Sequence, residues 1–395
     1  MTLVSPAYAD DFESELLSAI ASSPELAAER SRLMAVRQAL PVAWSEALPQ
    51  VNADALVVSQ DRTEERFDLS IRGQSEYWIA SARVSTLIFG GGRIWASTRQ
   101  ARAQIASAVA LYQDAVQNYT LQFTQAYAQV RFASARLTAQ EESLANLEEQ
   151  ARFARANLRE GFLTRTDVAQ AEARVALARA ELARAQADFV EAREFYGRIA
   201  GRPPGTLDAP GELAGLPQSL GEALDWAKDE HPALVAAAAN VAAANASVDL
   251  AASNGRMRVF LESVNTTYDS VEPEDDLLEY TQQFERTIQL RAAIPLYAGG
   301  ANRARERQQR HLRNAARYEL SDVERRVDER VSTSWAALQA SRARRDASRI
   351  RLEAAELASR GVRREQQFGQ RSMIDVLNQE QERLNARVSV AEAER

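Results

Sequence analysis

The chain has 395 residues, a formal net charge of −7 from 48 basic and 55 acidic side chains, two histidines and no cysteine. Without cysteine there is no disulfide, thiolate nucleophile or sulfur-ligated metal; His231 and His311 are too far apart in sequence to suggest a metal cluster or a histidine triad, which points away from an enzyme and from any cofactor. Basic and acidic residues alternate along helix faces, arguing against nucleic-acid binding, and no run of about 18 apolar residues stands out, which leaves a closed β-barrel as the route across a bilayer.

At the N-terminus, Ala7-Tyr8-Ala9 before Asp10-Asp11 reads as the small-x-small end of a secretory signal peptide, making residues 1–10 a leader remnant; a chance Ala-x-Ala in an alanine-rich chain is the alternative. A first helix is predicted from Asp11 to Leu48, ended by Pro49. Strands follow at Gln50 to Gln60 and Trp78 to Phe89. In the second, Trp78, Ala80, Ala82, Val84, Thr86 and Ile88 share one face and Tyr77, Ser81, Arg83 and Ser85 the other. That is period two, at about the ten residues a tilted membrane strand needs. The polar stretch 61–75 reads as an exposed loop.

Gly90-Gly91-Gly92 then opens a very long helix from Arg93 to about Glu160, about 100 Å at 1.5 Å per residue. Alternating steps of three and four from Val109 reach Tyr112, Val116, Tyr119, Phe123, Ala126, Val130, Ala133, Leu137, Gln140, Leu144, Leu147, Ala151, Ala154 and Leu158, apolar at all but Gln140. A sustained 3.5-residue period implies a left-handed coiled coil with a partner helix. A turn at Gly161-Phe162-Leu163 leads to a returning helix that ends near Ala200, and residues 201–219, rich in glycine and proline, form a connector.

The order then repeats at a constant offset of 208: Pro24 falls on Pro232, Gly91-Gly92 on Gly299-Gly300, Arg136 on Arg344, Gly161 on Gly369 and Asp167-Val168 on Asp375-Val376. Residues 11–200 and 220–395 are therefore two copies of one plan. In the second copy a helix runs from Leu220 to Asn254, and the strand pair spans about 256–297. Its alternating strand sets Ile288, Leu290, Ala292, Ile294 and Leu296 against Glu285, Thr287, Gln289, Arg291 and Tyr297. A polar loop at 269–281 separates the strands, and the helical hairpin occupies about 301–395. By the repeat, its returning helix would continue beyond Arg395.

Four strands cannot close a barrel, and an open edge facing lipid is not viable. Closure requires further copies, and three would give twelve strands above a barrel of helices.

Leu87-Ile-Phe-Gly-Gly-Gly-Arg93 and Ile294-Pro-Leu-Tyr-Ala-Gly-Gly300 resemble the strand-to-helix passages of the TolC family of outer-membrane factors. Gly161-Phe-Leu-Thr-Arg-Thr-Asp-Val168 and Gly369-Gln-Arg-Ser-Met-Ile-Asp-Val-Leu377 resemble its periplasmic tip turns. The resemblance covers essentially the whole chain. It implies a mainly α protein with long antiparallel coiled-coil hairpins in the periplasm and a 12-stranded β-barrel in the outer membrane, made as a homotrimer. It further implies a passive, porin-like exit duct for tripartite efflux or type I secretion, joined to an inner-membrane pump or ABC transporter through a periplasmic adaptor.

The same resemblance assigns sites. It places Arg371 beside Thr166 and Asp167 as a gate latch, and Asp375 in an acidic pore ring. Asn378 stands where the family often has a second pore acid, and Gln366 where some members have a latch tyrosine. Gly161, Phe162, Leu163, Gly369 and Gln370 mark the adaptor contact; Gly90, Gly91, Gly92, Gly299 and Gly300 make the strand-to-helix turns. Other readings stand beside these: Asp167 and Asp375 as helix caps, and Phe162 and Leu163 as packing of their turn. A periplasmic adaptor or coiled-coil scaffold is the alternative for the whole, and two strand pairs followed by Gly-Gly argue against both.

Overall fold

The structure, a computed structural model, describes residues 10–66, 69–211, 215–274 and 277–395. The Ala7-Tyr8-Ala9 motif lies outside them. Each predicted leading helix is broken. The first becomes α1 (Asp10–Ser22), α2 (Pro24–Arg37) and α3 (Ala39–Ser45). Pro24 has no N–H to bond back into α1 and suits a helix's first position, while Ser23 Oγ accepts from Leu26 N at 3.3 Å. Pro41 likewise falls in the first turn of α3.

The strands β1 (Gln50–Arg66) and β2 (Leu69–Phe89) follow, then α4 (Arg93–Arg159) and α5 (Arg165–Ala200). The second copy's leading helix divides at its own proline into α6 (Leu220–Glu230) and α7 (Pro232–Ser253). Next come β3 (Arg258–Glu274), β4 (Leu277–Ala293), α8 (Ala301–Gln367) and α9 (Met373–Glu394). Helices α4 and α8 have 67 residues each and begin and end 208 positions apart.

The sheet is antiparallel throughout, in the order β1-β2-β3-β4. Gln50 lies opposite Ser85 and Arg258 opposite Ala293, so the two hairpins share one register shifted by 208. The loops expected at 61–75 and 269–281 are mostly strand: the ladders continue to Arg66 opposite Leu69 and Glu274 opposite Leu277. A ladder is held by backbone hydrogen bonds, so polar residues do not end it.

The chain divides into two compact units. One comprises Ser31–Leu111 and Pro232–Glu324 and contains the sheet; the other comprises the chain up to Arg30, Tyr112–His231 and Arg325–Arg395. In the second unit the heptad positions do what the period predicts. Tyr119, Phe123, Ala126, Val130 and Ala133 of α4 are buried with Ala192, Tyr196 and Ile199 of α5 and with Ala19 and Leu26. Phe12 meets Tyr127 edge-on at 5.0 Å. Each large side chain buried this way stabilises by about 1.5–3 kcal/mol. Tyr196, fully buried, donates to Glu15 at 2.5 Å, and burial together with that bond raises its phenol well above the ordinary value.

One helical stretch, Leu220–Ser253, does reach the length and mean hydropathy, 1.4, of a bilayer span, contrary to the expectation from sequence. Alanine, not leucine, raises it. Asp249 near its end pairs with Arg99 at 3.2 Å, and Leu234, Ala236, Ala246 and Ala251 are buried in the protein.

Candidate functional site

Two features bear on function: the two faces of the sheet and the tips of the two helical hairpins. Opposite residues in an antiparallel ladder share a face. Asp54, Ser81, Thr266 and Glu285 are therefore on one side with Arg83, Glu262, Gln289 and Arg291. Ser81 donates to Asp54 at 2.8 Å. Glu262 accepts from Gln289 at 2.8 Å and from Nε and Nη2 of Arg291 at 3.0 and 2.7 Å.

The other side carries Val51, Ala53, Ala55, Val57, Trp78, Val84, Leu261, Phe284, Ile288 and Leu290, interrupted by Asn265, Arg286 and Asp269. Val57, Phe284 and Leu290 are 81%, 70% and 70% exposed. An apolar face this bare, backed by a polar one, is suited to lipid on one side and water on the other.

At the tips, the same local chemistry appears twice. Gly161 and Gly369 take φ of 81° and 74°, the left-handed conformation that lets a helix end and the chain turn back. Thr164 and Ser372 are the N-caps of α5 and α9, and Asp167 and Asp375 complete capping boxes. Asp167 Oδ2 accepts from Thr164 N at 2.9 Å and Oγ1 at 2.7 Å; Asp375 Oδ2 accepts from Ser372 N at 3.1 Å and Oγ at 2.6 Å. The hydroxyl and then the backbone N–H hold both carboxyls below the ordinary aspartate value.

Arg371 is not joined to Thr166 or Asp167 within the protomer. It donates to Glu365 at 2.8 Å, a carboxylate just across its own turn, and that pairing raises its already high pKa. Gln370 N donates to Glu365 O at 2.8 Å, closing the same turn. Asn378, exposed, accepts from Arg174 Nη2 at 3.1 Å. The two readings of Phe162 and Leu163 divide: Leu163 packs on the cluster of Leu147, Ala151, Ala154, Ala171, Met373 and Leu377, whereas Phe162 is 78% exposed.

Sequence reasoning missed the charge cluster behind the tips. Glu380 of α9, 1% exposed, accepts from Arg363 at 2.7 Å, Arg383 at 2.5 Å and Asn146 of α4 at 3.1 Å. Arg387 of α9 pairs with Glu142 of α4, and Glu148 of α4 with Arg179 of α5. The repeat held the clue. Arg155 and Glu172 of the first hairpin, paired at 2.8 Å, are the counterparts of Arg363 and Glu380 at an offset of 208.

At the strand-to-helix turns, Gly91, Gly92, Gly299 and Gly300 have positive φ; Gly90 does not, and a Cβ there would lie 3.0 Å from Leu87 Cδ2. Arg93 donates to Glu46 at 2.8 Å and to Asn254 at 3.0 Å. Among the described residues no group of three or more histidine, cysteine, aspartate or glutamate side chains is placed to hold a metal.

The sequence profile described as "Outer membrane efflux protein" matches residues 16–199 and 223–395. The chain is 30% identical over 315 residues to the outer membrane efflux protein BepC of Brucella suis, covering 79% of this chain and 68% of that protein. It is 29% identical over 346 residues to the protein CyaE of Bordetella pertussis, covering 84% and 69%. Among solved structures it resembles the outer membrane protein VceC of Vibrio cholerae, with a TM-score of 0.80 at 18% identity over 97% of this chain and 92% of that one.

Proposed function

This chain belongs to the outer membrane efflux protein family, as an outer-membrane exit duct of efflux or secretion systems with its helical part in the periplasm; from that premise we propose that three copies close one passive conduit whose tips form its gate. The observation that carries this is the sheet. Its faces are sorted into polar and apolar, and among the described residues both of its edges, β1 and β4, lack a strand partner. Unpaired backbone groups in lipid cost several kcal/mol each. Joining edge to edge around a ring removes all of them and turns the Asp54, Arg83, Glu262 and Arg291 face toward water.

At the far end of the helices, Asp375 from three copies forms an acidic ring. Arg371 exchanges Glu365 for Thr166 and Asp167 of a neighbouring copy when the tips close. The exposed Phe162, with Gly161, Gly369 and Gln370, offers the contact for a periplasmic adaptor that couples the duct to an inner-membrane pump. With Asn378 in place of a second acid, the ring carries one charge per copy.

Native mass measurement combined with planar-bilayer recording tests the reading. Particles of three chains that conduct support it; a monodisperse single chain without conductance would sink it.

A further inference from the structure

Charge on the polar face of the sheet is sorted along the strands. From the end that joins the helices, this face presents Arg258, then Arg291 opposite Phe260, then Glu262 opposite Gln289. Arg83 follows, opposite Val264 and so six residues beyond Arg258 on β3, about 20 Å at about 3.4 Å per residue. Over that distance three arginines stand with one glutamate. The next row, Asp54, Ser81, Thr266 and Glu285, holds two acids and no base.

The repeat shows how these charges come to be left unbalanced. Subtracting 208 from Glu262, Gln289 and Arg291 gives Asp54, Ser81 and Arg83. In the second hairpin the trio is closed: Glu262, 7% exposed, accepts from Gln289 and from Nε and Nη2 of Arg291, and that guanidinium lies 5.0 Å from the centre of the Phe260 ring. In the first, Ser81 donates to Asp54 at 2.8 Å, but among the described residues the exposed Arg83 makes no bond to this carboxylate, which is one methylene shorter than glutamate. Arg258 has Gln50 as its counterpart, so its charge belongs to the second copy alone. Its Nε is buried and, among the described residues, has no acceptor; a buried donor without a partner is destabilising until an acceptor reaches it.

We infer that the helix end of this face is an anion-attracting collar, carried by Arg83 and Arg258, whose ligands are the phosphate or carboxylate groups of passing cargo. The inference rests on the closed duct proposed above, which turns this face toward a water-filled bore, and adds to it a charge preference at a stated height. Arginines ringing a bore with low-dielectric walls concentrate anions, and a guanidinium offers two parallel N–H groups to the oxygens of a carboxylate or phosphate. Arg291 adds little to the collar, because Glu262 neutralises it.

The acidic row gives the collar a direction. Asp54 and Glu285 accept from the hydroxyls of Ser81 and Thr287, so their charges are not cancelled by these bonds. An anion drawn from the helical side to Arg258 and then Arg83 meets repulsion one row further out. That opposition keeps its stay short, and conduction requires binding weak enough to be left.

Reversal potentials of the full chain in planar bilayers, under a potassium chloride gradient, test this. Arg83→Gln with Arg258→Gln is expected to move the reversal potential toward that of potassium, and Arg83→Lys with Arg258→Lys, which keeps the charges, to leave it in place. Asp54→Asn with Glu285→Gln should move it toward that of chloride, and Arg286→Gln, on the apolar face, should not move it. Inorganic phosphate added from the helical side should block the unmodified chain more strongly than the double glutamine variant. An unmoved potential in the double glutamine variant, an equal shift from Arg286→Gln, or equal block by phosphate would overturn the collar while leaving the duct standing. Where the double glutamine variant fails to assemble, the Asp54 and Glu285 variant decides, and no shift there overturns the collar. An unmodified chain of single-chain mass without conductance would overturn the duct and the collar with it.

Discussion

The two tip hairpins, α4–α5 and α8–α9, carry the same ion pair in different settings. Arg155 and Glu172 bridge the first hairpin with side chains 54% and 49% exposed; Arg363 and Glu380 bridge the second with 33% and 2%. The spacing is 17 residues in each case. What differs is the neighbourhood: Glu380 also takes Arg383 and reaches Asn146 on α4. Arg387 likewise pairs with Glu142 of α4, whereas its counterpart Arg179 pairs with Glu148 inside its own hairpin. The first ion pair stays within its own hairpin; the second is also tied to the neighbouring one. A duplicated sequence has kept the rung and given one copy of it a second task.

Four experiments would break or sharpen this contrast. Glu380→Ala is expected to do the most damage, because it leaves two partly buried guanidiniums facing each other without their carboxylate. Breaking such a pair costs about 3 kcal/mol, whereas Glu172→Ala, at a solvated pair, should cost at most about 1 kcal/mol. Equal losses in chemical unfolding of the two variants would erase the distinction drawn here. The caps come next. Thr164→Ala and Ser372→Ala should each cost about 1 kcal/mol, and their effects should add if the two turns are independent.

Acid supplies the third test. Asp167 and Asp375 have carboxyl pKa values lowered by their caps. Their contribution is therefore complete above the ordinary aspartate value, about 4, and is lost as pH falls through the depressed folded value. Protection of the amides in the first turns of α5 and α9, taken relative to their intrinsic exchange at each pH, should fall on acidification below about pH 4, and unchanged protection in both would leave the caps without a stabilising role. The smallest effect on stability is expected from Arg371→Ala, since the Arg371–Glu365 pair is exposed. Its readout is conductance, which should rise if the residue holds closed tips together. Unchanged conductance would leave Arg371 as a local partner of Glu365 and nothing more.

Much of this molecule was legible along the chain. The 208-residue offset, the heptad run from Tyr119 to Ala154 and the alternating strands depend on local spacing, and local spacing is what a sequence displays. Both capping aspartates were readable as caps because a capping box spans four residues. Other features were not local. Pro24 and Pro232 break their helices, yet both read as parts of longer ones because a proline suits a first turn as well as it disrupts an interior. The hairpins extend past the predicted strand ends because backbone pairing tolerates polar side chains.

The sequence by itself determined the repeated plan, the kinds of element and the positions where the chain must turn. Tertiary structure alone decided which members of that plan touch. Asn146 and Glu380 are 234 residues apart, and no periodicity signals their contact. Glu365 is six residues from Arg371 and captures it before a more distant aspartate within the protomer can. Helical period fixes the face a side chain occupies; only the approach of a second helix fixes whether that face is wet or buried, and hence what its charge can hold.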